Sequence, residues 1–302
     1  MLAVNAGSTS LKLHLVDGEE ATAVDGWLAA DAVGHRVVHG GERFRAPVEI
    51  DDEVEAAIAQ LATIAPLHNL PALAAIRDAR LALGDVPHVA VFDTAFHATM
   101  PDRASTYAVP SQWREWGIRR YGFHGLSVEW VAGQVPVSRL VVCHLGGGCS
   151  VTAVLDGRSV DTSMGFSPLE GVPMGTRSGS VDPGALLYLL RERGVSPDEL
   201  DHALEHESGL LALGGSSDPR ELVGTPALDL YAYRVATTVG AMAVALGGLD
   251  ALAFTGGVGE GSADVRDRVC EQLAFLGDFD VVVVPAREEL VIARAVRRLL
   301  AP

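Results

Sequence analysis

Four short segments hold more reactive side chains than folding requires: Gly34-His35-Arg36-Val37-Val38-His39-Gly40-Gly41-Glu42, Phe92-Asp93-Thr94-Ala95-Phe96-His97, Arg119-Arg120-Tyr121-Gly122-Phe123-His124-Gly125, and the stretch from Asp161 to Asp182 that contains Met174-Gly175-Thr176-Arg177-Ser178-Gly179. Cationic and imidazole groups among glycines suit the binding of small anions, because a residue without Cβ lets backbone come close to a ligand. Three glycine turns strengthen this reading. They are Asn5-Ala6-Gly7-Ser8-Thr9-Ser10, Gly146-Gly147-Gly148-Cys149-Ser150 and Gly256-Gly257-Val258-Gly259-Glu260, each following a strand-like run. Backbone N–H groups in such turns can face a phosphate. Any one alone is more simply a tight turn; three in one chain favour phosphate. Of the 23 basic residues 22 are Arg, and Lys12 is the only lysine. A compact ammonium is not interchangeable with a guanidinium beside phosphate, yet a single exception to an Arg bias can also arise by chance, and its neighbourhood must decide.

Several nucleotide and hydrolase classes are excluded by motif. There is no G-x-x-x-x-G-K-[ST], no protein-kinase set of glycine loop, H-R-D and D-F-G, and no G-x-G-x-x-G after a strand. The G-x-S-x-G elbow is missing, and Arg36 stands where a zinc protease would need Glu between His35 and His39.

The elements that must position these residues are legible as an alternation of strands and helices. The 302 residues are 48% hydrophobic and 21% charged, with 33 Gly spread along the chain, which is the composition of a folded globular protein of one large or two ordinary domains. A formal charge of -16 has the wrong sign for holding a nucleic-acid backbone, so no nucleic-acid partner is expected. Cys143, Cys149 and Cys270 form no C-x-x-C pair, which fits a reducing cytoplasm. The start, MLAVNAGSTSLKLHLV, reads as strand and turn rather than a signal peptide, and the low-charge run Val235 to Leu249 is too short to span a bilayer. No membrane partner is expected.

Val4 to Val16 reads as strand, polar turn and alternating strand, closing at Asp17-Gly18; Leu140 to Asp156 repeats that plan and closes at Asp156-Gly157. Further strands are expected around 32–38, 86–92 and 251–254, and helices at 52–62, 70–83, 183–193, 228–246, 262–276 and 288–300. A duplicated hairpin within such an alternation indicates α/β architecture with mixed sheets.

In this combination and order, the segments closely resemble the acetate kinase family, the carboxylate kinases of the acetate and sugar kinase, chaperone and actin superfamily. The resemblance runs from Val4 to the Glu288–Arg294 region. It implies a two-domain duplicated ribonuclease-H-like (actin-like ATPase) fold with an interdomain active-site cleft, residues 1–94 and the helix 289–302 forming one domain and 95–288 the nucleotide-binding one. It also implies a reversible Mg²⁺-dependent transfer from ATP to acetate, giving acetyl phosphate and ADP in one in-line step. A carboxylate and a polyphosphate repel one another, so such a transfer needs fixed cations and donors around both.

Residue roles come from the resemblance. Arg36 is implied to hold the carboxylate and His124 and Arg177 to stabilise the transition state; Asp93 resembles the family's catalytic aspartate, and because the nucleophile is already ionised its favoured role is to order Mg²⁺ or Arg177, with a capping aspartate as the structural alternative. Val38, Leu67, Phe123 and Pro168 match the apolar pocket for the acid's alkyl end. Asn5 and Glu288 match the Mg²⁺ positions, oxygen donors suited to a hard cation. Lys12, His144, Leu145, Gly146, Gly147, Gly148, Asp218, Arg220, Gly256, Gly257, Val258, Gly259 and Glu260 match nucleotide contacts. The family is dimeric, which implies a homodimer; the apolar helix at 228–246 could serve that interface or the core equally.

The chain departs from the family pattern in being shorter, chiefly between Asp17 and Asp31, after Gly224 and near Gly277. Local departures are Gly147 and Gly261 where Asn is usual, Ser180 where Asp is usual, and Val128 where a second His is common. Two other readings stay open: a kinase for propionate or another short-chain acid, and a catalytically weak ATP-binding sensor on the same fold.

Overall fold

The computed structural model describes residues 1–7, 11–62, 66–84 and 86–301, without the side chains of 66–68. In chain order the first elements are β1 (Leu2–Ala6), β2 (Leu11–Asp17), β3 (Glu20–Val24), β4 (Val33–Val37), β5 (Val48–Glu49), α1 (Asp52–Leu61), α2 (Pro66–Leu83) and β6 (His88–Phe92). Then come α3 (Asp102–Ser105), α4 (Ser111–Glu115), α5 (Gly125–Gln134), β7 (Arg139–Leu145), β8 (Cys149–Leu155), β9 (Arg158–Thr162), α6 (Pro183–Glu192), α7 (Pro197–His206) and α8 (Gly209–Gly214). The last are α9 (Pro226–Leu246), β10 (Ala251–Thr255), α10 (Gly256–Gly261), α11 (Ala263–Glu271), β11 (Asp280–Val283) and α12 (Glu288–Leu300). Two compact units result: unit 1 comprises 1–99, 108–130 and 287–302, and unit 2 comprises 100–107 and 131–286.

Each unit is built on one sheet, and the two sheets share a plan. In unit 1 the order is β3-β2-β1-β4-β6-β5, with β1, β2 and β3 antiparallel neighbours, β1, β4 and β6 parallel, and β5 an antiparallel edge. In unit 2 the order is β11-β10-β7-β8-β9, with β7, β8 and β9 antiparallel and β7, β10 and β11 parallel. A three-stranded meander followed by two parallel strands, used twice, is the duplicated ribonuclease-H-like arrangement of actin-like ATPases. The repeat read from Val4–Val16 and Leu140–Asp156 is the first hairpin of each copy. In the second copy Asp156 and Gly157 both take positive φ (48° and 76°), as a two-residue type I′ loop between paired Leu155 and Arg158 requires.

Alternation along β6 shows how unit 1 is layered. Val89 and Val91 pack with Leu290, Val291, Ile292 and Val296 of α12 and Leu126 of α5, whereas Ala90 and Phe92 pack with Val54 and Ile58 of α1 and Leu73 and Ile76 of α2. Helices thus cover both faces, as a parallel sheet centre demands. Gly34 on β4 admits α12: a Cβ there would meet Ile292 Cγ2 at 2.4 Å. In unit 2, β8 is buried from Cys149 to Val154 and α9 lies on it through Tyr231, Val235, Val239 and Met242.

Helix starts follow capping rules. Asp51 accepts from Val54 N–H at 2.7 Å before α1, Thr225 caps α9 ahead of Pro226, and Ser196 with Glu199 forms a reciprocal capping box on α7. α2 begins at Pro66, four residues earlier than expected, and runs through Pro71. As the sixth residue of the helix, Pro71 lies past the first turn, so its missing N–H costs the ladder one hydrogen bond. The expected helix at 262–276 is α11 followed by a separate 3-10 turn at Ala274–Leu276.

Candidate active site

Within unit 1, three parallel strands deliver polar residues to one sheet edge. Asn5 is near the end of β1, Arg36 near the end of β4, and Asp93 directly follows β6, with β4 paired to both neighbours. Ligand sites of open α/β sheets gather at such carboxyl ends. Arg36 Nε donates to both Asp93 oxygens, at 3.2 and 3.0 Å, and its Nη1 donates to Asn5 Oδ1 at 3.0 Å. Asn5 Nδ2 in turn donates to Glu288 Oε2 at 2.7 Å, and that oxygen lies 3.7 Å from Arg36 Nη1. Asp93 is fully buried, while Arg36 and Glu288 each keep 14% of their side-chain surface. One guanidinium therefore joins two carboxylates and an amide, leaving a little of itself open to a ligand.

Burial works against the charge on Arg36, but Asp93 and Glu288 outweigh it and raise its pKa. For Asp93, burial pushes the carboxyl above its ordinary range against the opposing pull of Arg36. The Asp93 backbone is held as tightly: a Cβ on Gly125 would lie 1.9 Å from the Asp93 carbonyl oxygen, so only glycine fits. Next to it His124 sits at φ 60°, a left-handed conformation for a non-glycine residue, and its carbonyl accepts from Val128 N–H at 3.0 Å as α5 begins. Residues in such sparsely populated conformations cluster at functional sites.

Val38 and Phe123, expected for the apolar pocket, are both buried in unit 1. The His39 ring lies edge-on to Phe123, with centroids 5.5 Å apart, and Asn69 fixes the His39 backbone by accepting from its N–H at 3.1 Å and donating to its carbonyl at 3.0 Å. Leu67 is the second residue of α2, but its side chain lies outside the described residues, as do Ser8, Thr9 and Ser10 of the first polar turn. Lys12 is exposed on β2 opposite Asn5.

Unit 2 repeats the strand-end arrangement with glycines. His144 on β7 is in register with Thr255 on parallel β10, and each strand runs straight into a glycine turn. Gly256 takes φ 80°, and a Cβ on it would meet Leu145 O at 2.7 Å and His144 Nε2 at 3.2 Å; a Cβ on Gly146 would be 3.7 Å from the backbone nitrogen of Gly257. The two turns thus face each other through backbone and the His144 ring, which suits close approach to a polyphosphate. The 256–261 segment, read as an open turn, winds into the short α10. Its Glu260 carboxylate accepts from the backbone N–H groups of Gly256 and Ala286, both at 3.0 Å, so this expected nucleotide contact secures the turn itself.

Beside α10, Arg220 Nη1 would be 3.8 Å from a Cβ on Gly261, and Arg220 grips Asp218 through Nε at 2.9 and 3.0 Å. Arg177 pairs through Nε with Glu205 Oε2 at 2.8 Å, the two retaining 16% and 12% of side-chain surface. Its loop is pinned by backbone bonds to α7 and α8: Ser178 N–H to Leu204, Ser208 N–H to Thr176, Leu210 N–H to Met174 and Leu211 N–H to Gly175. Pro168 is buried in the preceding loop, which Tyr107 holds by accepting from Phe166 N–H at 3.0 Å while donating to Glu170. Among the described residues no group of three or more His, Cys, Asp or Glu side chains could hold a metal.

Comparisons with known proteins decide the family. The family model described as the acetokinase family matches residues 26–287. The chain is 50% identical to an acetate kinase of Nostoc punctiforme over 283 residues, covering 88% of this chain and 70% of that protein, and 49% identical to one from Deinococcus deserti over 313 residues, covering 89% and 78%. The chain belongs to the acetokinase family. Membership places it among kinases, which are phosphotransferases. A relative from Protochlamydia amoebophila, 49% identical, is matched over 66% of its length, so the chain spans about two thirds of some of its relatives. Two crystal structures fit along nearly all of both chains. They are a propionate kinase from Francisella tularensis (33% identity, TM-score 0.91, 97% of this chain and 98% of that one) and an acetate kinase from Porphyromonas gingivalis (32%, 0.90, 99% and 99%).

Several functional contacts of this acetokinase are absent from the sequence reading. Glu205, Asn69 and the Tyr107–Glu170 pair had no local signal, since each acts on a residue 28 to 63 positions away. The capping-box spacing Ser196-x-x-Glu199 was a signal for α7, the helix that carries Glu205.

Proposed function

We propose that this acetokinase transfers the γ-phosphoryl group of ATP to acetate, reversibly and in one step. A carboxylate oxygen attacks phosphorus as the bond to ADP breaks opposite it, giving acetyl phosphate and ADP; the nucleophile is already ionised, so no proton has to move. Arg36 binds the carboxylate through the small part of its guanidinium that stays open, and His124 and Arg177 stabilise charge on the transferring group's equatorial oxygens. Val38, Leu67, Phe123 and Pro168 are assigned to the methyl group by their match to the family's apolar positions. In unit 2 the facing glycine turns at 144–148 and 256–259, with Asp218 and Arg220, take the nucleotide, and Lys12 of unit 1 contacts phosphate.

Mg²⁺ neutralises phosphate charge in such transfers. Asn5 and Glu288 fit it as oxygen donors: this cation keeps several waters and phosphate oxygens and needs only one or two protein ligands. In the structure Asn5 donates through Nδ2 to Glu288 at 2.7 Å and accepts through Oδ1 from Arg36 at 3.0 Å, so Asn5 would turn its oxygen away from Arg36 to hold the cation. We further propose a cytoplasmic homodimer. Among the described residues no helix is long and apolar enough to cross a membrane, the three cysteines are unpaired, and α9 leaves Leu230, Tyr233 and Val244 exposed while its other side is buried.

The observation that carries the kinase reading is the Arg36 network, a permanently charged group fixed among Asp93, Asn5 and Glu288 at the end of three parallel strands. The test is acyl phosphate trapped as hydroxamate, from purified protein with ATP, Mg²⁺ and acetate, propionate or butyrate, beside an Arg177→Ala control. Product fastest with acetate and lost in the control is expected. The fit to a propionate kinase supports a second reading, in which propionate reacts fastest. One methylene changes discrimination by only about 1–3 kcal/mol, so both acids can react. ATP binding without product from any acid would leave the sensor.

A further inference from the structure

Unit 1 contains a cavity of about 240 Å³ apart from the polar cluster, lined by Val91, Phe92 and Ala95 around β6, Leu126 and Glu129 of α5, and Ala295, Arg298 and Leu299 of α12 among others. Its floor is apolar and dry: Val91, Phe92 and Leu126 are 1–3% exposed. Cavities of roughly 150 Å³ lined by such side chains accept a benzene ring, so this one has room for a branched or aromatic side chain with a polar head. At its walls stand two opposite charges. Neither Glu129 nor Arg298 makes a hydrogen bond or ion pair among the described residues, although each feels the other's field. The other cation that acts on Glu129, Arg294, is held by Glu19 at 2.6 Å and lies over the Trp130 ring at 4.9 Å. Burial keeps the Glu129 carboxyl above its ordinary range, which marks it as a group in want of a cation.

We infer that this cavity binds an apolar α-amino acid, its ammonium on Glu129, its carboxylate on Arg298 and its side chain against Val91, Phe92 and Leu126. A simple fatty acid would leave Glu129 unmatched, and a simple amine would leave Arg298 unmatched; only a zwitterion with an apolar side chain answers the whole lining. The cavity also lies where occupancy bears on turnover. β6 leads into Asp93 and α12 starts at Glu288, so two walls end in a residue of the polar cluster, and the third, α5, starts next to His124. Leu126 contributes to the cavity and also supplies a backbone hydrogen bond to the Asp93 carboxylate.

The test is direct binding, read by calorimetry or NMR titration of the full chain with L-leucine or L-phenylalanine beside isovalerate and isoamylamine. Saturable binding of the amino acids, with the acid and the amine at least roughly tenfold weaker, is expected, as is a similar loss in both Glu129→Gln and Arg298→Gln. Neither substitution touches the polar cluster, so both variants keep their activity without amino acid. No saturation by either amino acid up to about 10 mM overturns the inference, as does equal binding of the acid alone with no effect of Glu129→Gln. Because binding is read without turnover, failure of the kinase reading would leave this result standing.

Discussion

In the proposed reaction Arg36 ties stability to chemistry in a single side chain. Removing it strands a fully buried Asp93, and an unpaired buried charge costs about 3–5 kcal/mol where a neutral replacement of both partners can cost little. Arg36→Ala should therefore unfold at distinctly lower urea than the parent, while Arg36→Ala/Asp93→Asn should recover most of that loss and still turn over at least about 100-fold more slowly. Equal urea midpoints for the single and double variants would mean that the pair does not hold the site. Gly125 makes a separate prediction. With the Asp93 carbonyl oxygen 1.9 Å from any Cβ, Gly125→Ala must displace the start of α5 or the turn after β6. It should lower the melting temperature and the acetate kcat together, and an alanine variant of parental stability and activity would show that the approach is not that close in solution. Local motifs made Arg36, Asp93 and His124 legible in the sequence, but not that the first two bind each other across 57 residues. That pairing depends on β4 and β6 becoming neighbours, which no short window of sequence states.

At the scale of elements, β4 and β6 also bring together two imidazoles. His35 Nε2 and His88 Nδ1 are 3.0 Å apart with rings nearly parallel, and the outer nitrogens, His35 Nδ1 and His88 Nε2, are buried without a hydrogen-bond partner among the described residues. Burial, with His88 beside it, pushes His35 down to about 3, and burial lowers His88 as well. The unfolded chain takes up protons near pH 6.5 while the folded chain does not, so stability is full above that pH and falls as pH drops toward 3. His35 alone should cost about 2 kcal/mol between pH 7.5 and pH 5. Urea unfolding at the two pH values checks this, and a His35→Gln variant should show a shallower pH slope; the same slope in both proteins would contradict it. Helices marked by caps or a clear apolar stripe, such as α1, α9 and α12, were legible, and so were the hairpins. α5 was not, since its first two turns are buried on nearly every side and carry no amphipathic stripe. β11 was missed because its exposed edge position leaves it without a sustained buried face.

For the whole molecule, the duplication is the organising fact: one meander-plus-parallel plan carries the Arg36 network in unit 1 and the paired glycine turns in unit 2. The hairpin repeat disclosed it in sequence, whereas the exact chain partition, with 108–130 in unit 1, did not appear locally. The proposed homodimer is tested by sedimentation: a dimer for the parent, and a monomer for a variant with Val244→Arg and Tyr233→Arg on the exposed side of α9. A dimer that persists in that variant would move the interface elsewhere. The central claim is that a carboxylate oxygen attacks phosphorus directly. Acetate carrying ¹⁸O in both carboxylate positions, incubated with ATP, Mg²⁺ and the protein, should give acetyl phosphate whose bridging oxygen is labelled. Hydroxylamine then attacks the carbonyl carbon, and ³¹P NMR should show the released phosphate carrying one ¹⁸O. Phosphate without label, formed by water attacking ATP, would contradict the account.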